Sequence, residues 1–122
     1  MLYSEKWDQK PLSENGQILM DAANYMDEHG WCQKHASEPN GSVCFYGAIA
    51  AVVGAVSFVN GNVNGNFFRI DKDNPNFKRF AAIQHLVETS RTFISGAAEW
   101  NDYAAKSKEE VVAKLRELAY LF

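Results

Sequence analysis

Residues 43–59, VCFYGAIAAVVGAVSFV, contain no charged side chain. A run of this length is at the lower limit for spanning a bilayer. However, no Lys or Arg anchor stands close beside it, and it contains Ala and Gly rather than Leu. An apolar helix without a polar face is also typical of the centre of a helical bundle. We therefore expect residues 43–58 to form a buried helix and not a membrane span.

Three further segments have the apolar periodicity of amphipathic helices. They cover residues 13–29, 76–91 and 107–122. Ser13 and Ser107 stand at the starts of two of these segments, where a hydroxyl accepts a hydrogen bond from a free backbone N–H. The sequence thus predicts an all-α fold, a single-domain bundle of four main helices.

The chain has 122 residues, of which 47% are apolar, which suffices for one core. We assign residues 1–122 to a single helical domain, with residues 1–12 as an N-terminal arm and residues 60–76 as a long loop between helices 2 and 3. This loop contains two Asn-Gly dipeptides, which favour tight turns. A small hairpin turning at Asn64-Gly65 is the alternative to an irregular loop.

The charge balance gives no sign of a nucleic-acid partner. The chain has 12 Lys and Arg against 15 Asp and Glu, a net charge of -3, and the two signs are interspersed. Binding to a phosphate backbone requires a basic stripe. The N-terminal residues, MLYSEKWDQKPL, lack the basic and apolar regions of a signal peptide. We expect a cytoplasmic protein, in which cysteines are more often reduced than paired.

Both cysteines and two of the three histidines lie in the stretch HGWCQKHASEPNGSVCFYGA, residues 29–48. Cys and His ligands at the spacing H-x2-C-x2-H-x8-C are of the type that completes a tetrahedral zinc shell. The zinc hypothesis involves His29, Cys32, His35 and Cys44. A Cys32–Cys44 disulfide, or a catalytic pair of Cys32 with a histidine, is a further alternative. We favour no cofactor and simple packing, because Cys behaves as a small buried hydrophobe.

A second polar stretch, EWND, covers residues 99–102. Asn101 and Asp102 are residue types that satisfy free backbone groups in loops, and Trp100 can cover the end of a core. The functional alternative is a small polar site beside an aromatic wall, with Asp102 as an acid or base.

Three short motifs resemble a family of small uncharacterised bacterial and phage proteins with a domain of unknown function. The motifs are GWCQ at residues 30–33, C-x-x-GA at residues 44–48 and WND at residues 100–102. The resemblance implies no assigned activity. His29 and His35 lie outside its pattern, and the Asn-rich residues 60–66 depart from it. The matching positions are Gly30, Trp31, Cys32, Gln33, Cys44, Gly47, Ala48, Trp100, Asn101 and Asp102.

Two hypotheses for the function follow. The first, which we favour, is a small non-enzymatic protein-binding domain, a phage-encoded or bacterial regulator or inhibitor. Its protein partner would contact aromatic residues outside the helical cores, since exposed aromatics contribute much of the energy at interfaces. These aromatics are Tyr3, Trp7, Phe67 and Phe68.

The second hypothesis is a metal-binding or small-ligand-binding protein, or an enzyme, with a site between two loops. Loops on a rigid scaffold commonly carry function. The hypothesis requires the loop at residues 31–33 to meet the loop at residues 100–102 in space. The candidate ligand-binding residues are Trp31, Cys32, Gln33, Trp100, Asn101 and Asp102.

Overall fold

The structure is a computed structural model that describes residues 11–59 and 67–122. Most of it is helical, and two short strands follow the second helix. The elements in chain order are α1 (Glu14–His29), α2 (Phe45–Val53), β1 (Val56–Phe58), β2 (Phe68–Ile70), α3 (Phe77–Thr89), α4 (Ala97–Glu99), a π-helix (Trp100–Ala104) and α5 (Lys108–Leu121).

The predicted all-α bundle of four helices is wrong. The described ranges contain five α-helices, of which α4 is a single turn, together with a π-helix and a two-stranded antiparallel sheet. The fold is therefore mixed. The helices predicted at residues 13–29, 76–91 and 107–122 are present as α1, α3 and α5, and the departures lie on either side of α3.

The second helix ends five residues earlier than predicted, because Gly54 adopts a left-handed conformation with φ of 81°. Its N–H closes the helix by donating to the Ala50 and Ala51 carbonyls. The chain then enters β1, where Val56 pairs with Ile70. β-Branched and aromatic residues favour such a strand over a helix end.

A short strand, β2, lies at the end of the residues that the predicted hairpin would cover. It pairs with β1, which precedes the predicted loop. The predicted turn at Asn64-Gly65 and residues 1–10 of the predicted arm lie outside the described residues. Phe68 is only 2% exposed and belongs to the core, so the expectation that it is available to a partner is wrong.

The core is centred on α2, as the uncharged run predicts. Phe45 and Ile49 of α2 are completely buried, and α1 packs closely against α5. The predicted N-caps are confirmed, since the Ser13 and Ser107 hydroxyls accept hydrogen bonds from the Gly16 and Glu110 N–H groups. Within residues 11–59 and 67–122, no helix has both the length and the apolar character needed to cross a membrane.

The segment between α1 and α2 folds back along itself before it enters α2. Trp31 and Ser37 both form bridges with Val43, and the Cys32 N–H donates to the Val43 carbonyl at 2.9 Å. The Ser37 hydroxyl also bonds to both backbone groups of Phe68, which ties the segment to β2. This anchoring fixes the position of residues 31–34 against the rest of the fold.

Candidate functional site

The side chain of Asn101 joins the three motif segments. It lies in the π-helix and is 1% exposed. Its Oδ1 accepts hydrogen bonds from the Trp31 indole at 2.8 Å and the Phe45 N–H at 3.0 Å. Its Nδ2 donates to the Cys32 carbonyl at 3.2 Å and to Asp102 Oδ1 at 2.9 Å. All four hydrogen-bonding positions of the amide are therefore occupied.

Two further bonds close this arrangement. The Gln33 side chain donates to the Asn101 carbonyl at 3.1 Å, and the Lys34 N–H donates to Asp102 Oδ1 at 2.7 Å. Lys34 has a positive φ of 71°, a conformation that is unfavourable for a residue with a side chain, and the bond to Asp102 holds it there. We call this set the Asn101 junction, formed by Trp31, Cys32, Gln33, Lys34, Phe45, Asn101 and Asp102.

The π-helix allows two consecutive side chains to face the same loop. The Ala105 N–H donates to the Trp100 carbonyl five residues earlier, at 2.8 Å, and this wide turn contains Asn101 and Asp102. π-Helical turns are rare and are found frequently at functional sites. Trp100 contacts Phe93, with ring centroids 5.1 Å apart, and takes no part in the polar junction.

The condition set by the second hypothesis is met, because the loop at residues 31–33 and the loop at residues 100–102 are in direct contact. Five of the six candidate ligand-binding residues lie in the junction. Their hydrogen bonds are directed mainly at one another, so the chemistry open to a ligand lies beside the junction and not at its centre.

Both cysteines are free thiols that serve the local structure. Cys32 donates to the His35 carbonyl at 3.3 Å, and burial together with the nearby Cys44 raises the pKa of Cys32 to about 12. Cys44 is the N-cap of α2, where its sulfur accepts the Gly47 N–H at 3.2 Å. A helix N-terminus ordinarily lowers a thiol pKa, but desolvation dominates and raises the pKa of Cys44. At neutral pH neither residue is a thiolate nucleophile.

The two histidines of the zinc hypothesis have different surroundings. The His29 ring stacks on Tyr25 of α1, with centroids 4.1 Å apart, whereas His35 is exposed in the loop before α2. In the part of the chain that the structure describes, no three His, Cys, Asp or Glu side chains form a group suited to a metal ion.

A cleft of about 390 Å³ opens beside the Asn101 junction, between the loop at residues 34–36 and α3. Its floor is apolar and its rim carries charged and polar side chains. We call it the junction cleft. The floor is formed by Phe45, Tyr46, Ile70, Phe77 and Phe80, and the rim by Lys34, His35, Lys72, Gln84 and Asp102.

Tyr46, in the floor of the junction cleft, is held in place by a hydrogen bond. Its hydroxyl donates to the Glu88 carboxylate, which also accepts the Ala97 N–H at 3.0 Å. Burial and this carboxylate raise the pKa of Tyr46, so the phenol stays protonated. The contact links α2, α3 and the start of α4, and it fixes the separation of the elements around the cleft.

The sequence predictions missed Lys72, Gln84 and the aromatic floor of the cleft. Lys72 lies in the loop predicted at residues 60–76, and Phe77 and Phe80 lie in the helix predicted at residues 76–91. These residues come from α2, β2, α3 and the connection between β2 and α3, and no local pattern relates them to residues 34–36. The only usable signal was the density of aromatic residues near the start of α3.

A second depression, of about 340 Å³, lies on the other side of the π-helix. Ile94 is fully exposed there, and Tyr103 is 73% exposed. The Lys34 ammonium lies 5.3 Å from the centroid of the Tyr103 ring. We call this the Ile94 surface, formed by Thr92, Phe93, Ile94, Ser95, Trp100 and Tyr103.

A family model matches most of the chain. The model of a family of unknown function, DUF6197, matches residues 11–121, which include all three motifs. The chain belongs to this family. The predicted resemblance to a domain of unknown function is thereby confirmed, and membership of DUF6197 assigns no activity. No curated protein and no solved structure matches the chain.

Proposed function

We propose that this DUF6197 protein binds a small molecule in the junction cleft. The observation that carries the proposal is the meeting of the three motif segments at Asn101, directly beside a cleft of about 390 Å³. Ligand sites are typically concave, of roughly 300 to 1,000 Å³, and mainly apolar, with a few polar groups that fix orientation. The junction cleft has each of these properties.

Several rim side chains are available to a ligand. His35, Lys72 and Gln84 line the cleft, and no side-chain hydrogen bond or ion pair connects them to the described residues. The apolar floor beneath them would exclude water from the ligand. His35 and Lys72 are exposed and Gln84 is half-buried, so their polar groups can bond to a ligand without breaking a contact within the described residues.

The scaffold around the cleft supports binding without large rearrangement. The Asn101 side chain bonds to Trp31 and Cys32 and so holds the loop at residues 31–34, and Tyr46 holds α3 through Glu88. A site that is ordered before binding loses less conformational entropy when the ligand enters. We propose binding and not catalysis, because burial keeps the Cys32 and Cys44 thiols protonated and Asp102 Oδ1 already accepts two hydrogen bonds.

The test is a fragment screen observed through the amide resonances of the protein. Ala98 lines the cleft and is exposed, so Ala98→Trp fills the cleft without removing a contact. Ala113→Trp places the same side chain on an exposed position of α5, away from the cleft, and serves as the matched control.

We expect fragments to shift the amide resonances of Ala36, Ile70 and Lys72 in the wild-type and Ala113→Trp proteins but not in Ala98→Trp. If no fragment shifts these resonances, or if Ala98→Trp responds as the wild type does, the proposal is wrong.

The Ile94 surface favours a second candidate, the protein-binding domain of the first hypothesis. An isoleucine that is fully exposed beside a largely exposed tyrosine is the kind of anchor found at protein interfaces. A role as a regulator or inhibitor, of bacterial or phage origin, belongs to this candidate. A specific partner should be retained by Ala113→Asp and lost by Ile94→Asp, and equal retention by both variants would count against the candidate.

A further inference from the structure

The rim of the junction cleft carries more positive than negative charge, although the chain as a whole is acidic. Lys72 and Lys34 line the cleft, with the Lys34 ammonium placed over the Tyr103 ring, and Asp102 is the carboxylate among the lining residues. The chain has a net charge of -3. We infer that the junction cleft selects an organic anion with a flat apolar body. This inference rests on the proposed binding function and names the chemical class of the ligand.

The single carboxylate of the lining is already engaged. Asp102 Oδ1 accepts the Lys34 N–H at 2.7 Å and the Asn101 side-chain N–H at 2.9 Å. These two donors partly compensate its charge. Lys72, in contrast, is exposed and forms no ion pair with any residue in the described ranges. A negative ligand group near Lys72 would therefore gain an attraction without displacing an existing partner.

The floor favours a flat body, because its rings are packed edge against face. The Tyr46 and Phe80 rings are 5.8 Å apart at 76°, and the Phe45 and Tyr46 rings are 5.2 Å apart at 87°. Aromatic rings pack favourably against one another at such angles and separations. Phe77 is half-buried and its ring centroid lies 5.6 Å from that of Phe80, so a flat ring system can pack against the exposed part of Phe77 without a change in the buried rings.

Gln84 supplies the remaining polar contact. It lies half-buried in α3, lines the cleft, and its amide forms no hydrogen bond with the described residues. An amide donates and accepts, so Gln84 can donate to a carboxylate oxygen. The positive rim, the flat floor and this amide together define a ligand with a negative head and an apolar body.

The experiment uses three probes that share one ring system and differ in charge: 2-naphthoate, 2-naphthalenemethanol and 2-naphthylmethylammonium. Their dissociation constants are measured by amide-resonance titration with the whole chain. We expect 2-naphthoate to bind up to about fivefold more tightly than the neutral alcohol, because an exposed charge pair contributes up to about 1 kcal/mol. The ammonium probe should bind most weakly.

Two charge-reversal variants distinguish the effect of the charge at the cleft from the effect of the overall charge of the protein. Lys72→Glu should weaken 2-naphthoate binding by about fivefold or more and leave the alcohol unchanged. Lys78→Glu changes the same charge at an exposed position of α3 that does not line the cleft, and it should leave both constants unchanged. Thermal unfolding of each variant shows whether the fold is intact.

The outcomes distinguish this inference from the proposed function. If 2-naphthoate and the alcohol bind equally and Ala98→Trp abolishes both, the charge preference is wrong and binding in the cleft stands. If the 2-naphthoate constant is the same in Lys72→Glu and Lys78→Glu, the assignment of the anion to this rim is also wrong. If none of the three probes binds, this inference is overturned. The proposed function is then tested independently by the fragment screen.

Discussion

Replacing Asn101 with alanine removes the amide that connects the three motif segments. The Phe45 N–H is buried and loses its acceptor, while the Trp31 indole and the Cys32 carbonyl each lose a partner. A buried polar group left without a partner costs about 1 to 3 kcal/mol, and one that water can reach costs less. With about 1.5 kcal/mol for the buried Phe45 N–H, about 1 kcal/mol for the buried Cys32 carbonyl and about 0.5 kcal/mol for the part-buried Trp31 indole, we expect a loss of about 3 kcal/mol in the free energy of unfolding.

The assay is urea unfolding, with thermal unfolding as a second readout. For a chain of this size, about 3 kcal/mol corresponds to a fall in Tm of roughly 12 °C. Asn24→Ala is the matched control, because Asn24 is exposed and its side chain contacts Arg116 at the surface. That variant should change the free energy by less than about 0.5 kcal/mol.

A second substitution at the same position tests the donor side of the amide. Asn101→Asp keeps the two acceptor contacts but replaces the donor that faces the Cys32 carbonyl and Asp102 with a carboxylate oxygen. The neighbouring carboxylate should raise the folded-state pKa of the new Asp. Its stability deficit should therefore be smallest at low pH and grow as the pH rises towards 7. A loss below about 1 kcal/mol for Asn101→Ala, or a deficit of Asn101→Asp that is independent of pH, would refute the role we assign to Asn101.

Three further substitutions test other parts of the site. Gly47→Ala should cost about 3 kcal/mol in urea unfolding, because a Cβ there would lie 1.9 Å from the Ala36 carbonyl oxygen; unchanged stability would contradict this close approach. Cys44→Ser should be more stable than Cys44→Ala by about 1 kcal/mol, since serine retains the N-cap bond to α2; equal stability of the two variants would exclude a capping role. The raised pKa of Cys32, about 12 against an ordinary value of 9.0, means that the unfolded chain loses this proton first. Stability should therefore fall as the pH rises from 9 towards 12, by up to about 1.4 kcal/mol per pH unit. Cys32→Ala should show a shallower fall, and identical slopes for the two proteins would disprove the raised pKa of Cys32.

Local features of the fold could be predicted from the sequence. The N-caps at Ser13 and Ser107 depend on residues within three positions of one another, and a buried α2 follows from a run without charges. The end of α2 was predicted incorrectly, because Gly54 can either continue a helix or end it in a left-handed conformation. The conformation of Gly54 depends on the pairing of β1 with a strand more than ten residues later.

The candidate site could be predicted only in part. The motif residues Trp31, Gln33 and Asn101 were identified, but periodicity gave no information on whether their loops meet across about 70 positions of the chain. The cleft depends on the packing of α3 against α2, which brings Lys72 and Gln84 beside the loop at residues 34–36. The proximity of residues far apart in the sequence results from tertiary packing and cannot be predicted from a local sequence pattern.

The measurement that tests the central claim most directly is an isotope-filtered NOE spectrum of the labelled protein with 2-naphthoate. Ile70 lies in the floor of the junction cleft, and Ile94 lies on the separate exposed surface. We predict NOEs from the ring protons of the probe to the Ile70 side chain and the Phe80 ring. Contacts to Ile94 instead, or no intermolecular contact to the residues of the cleft, would contradict the account.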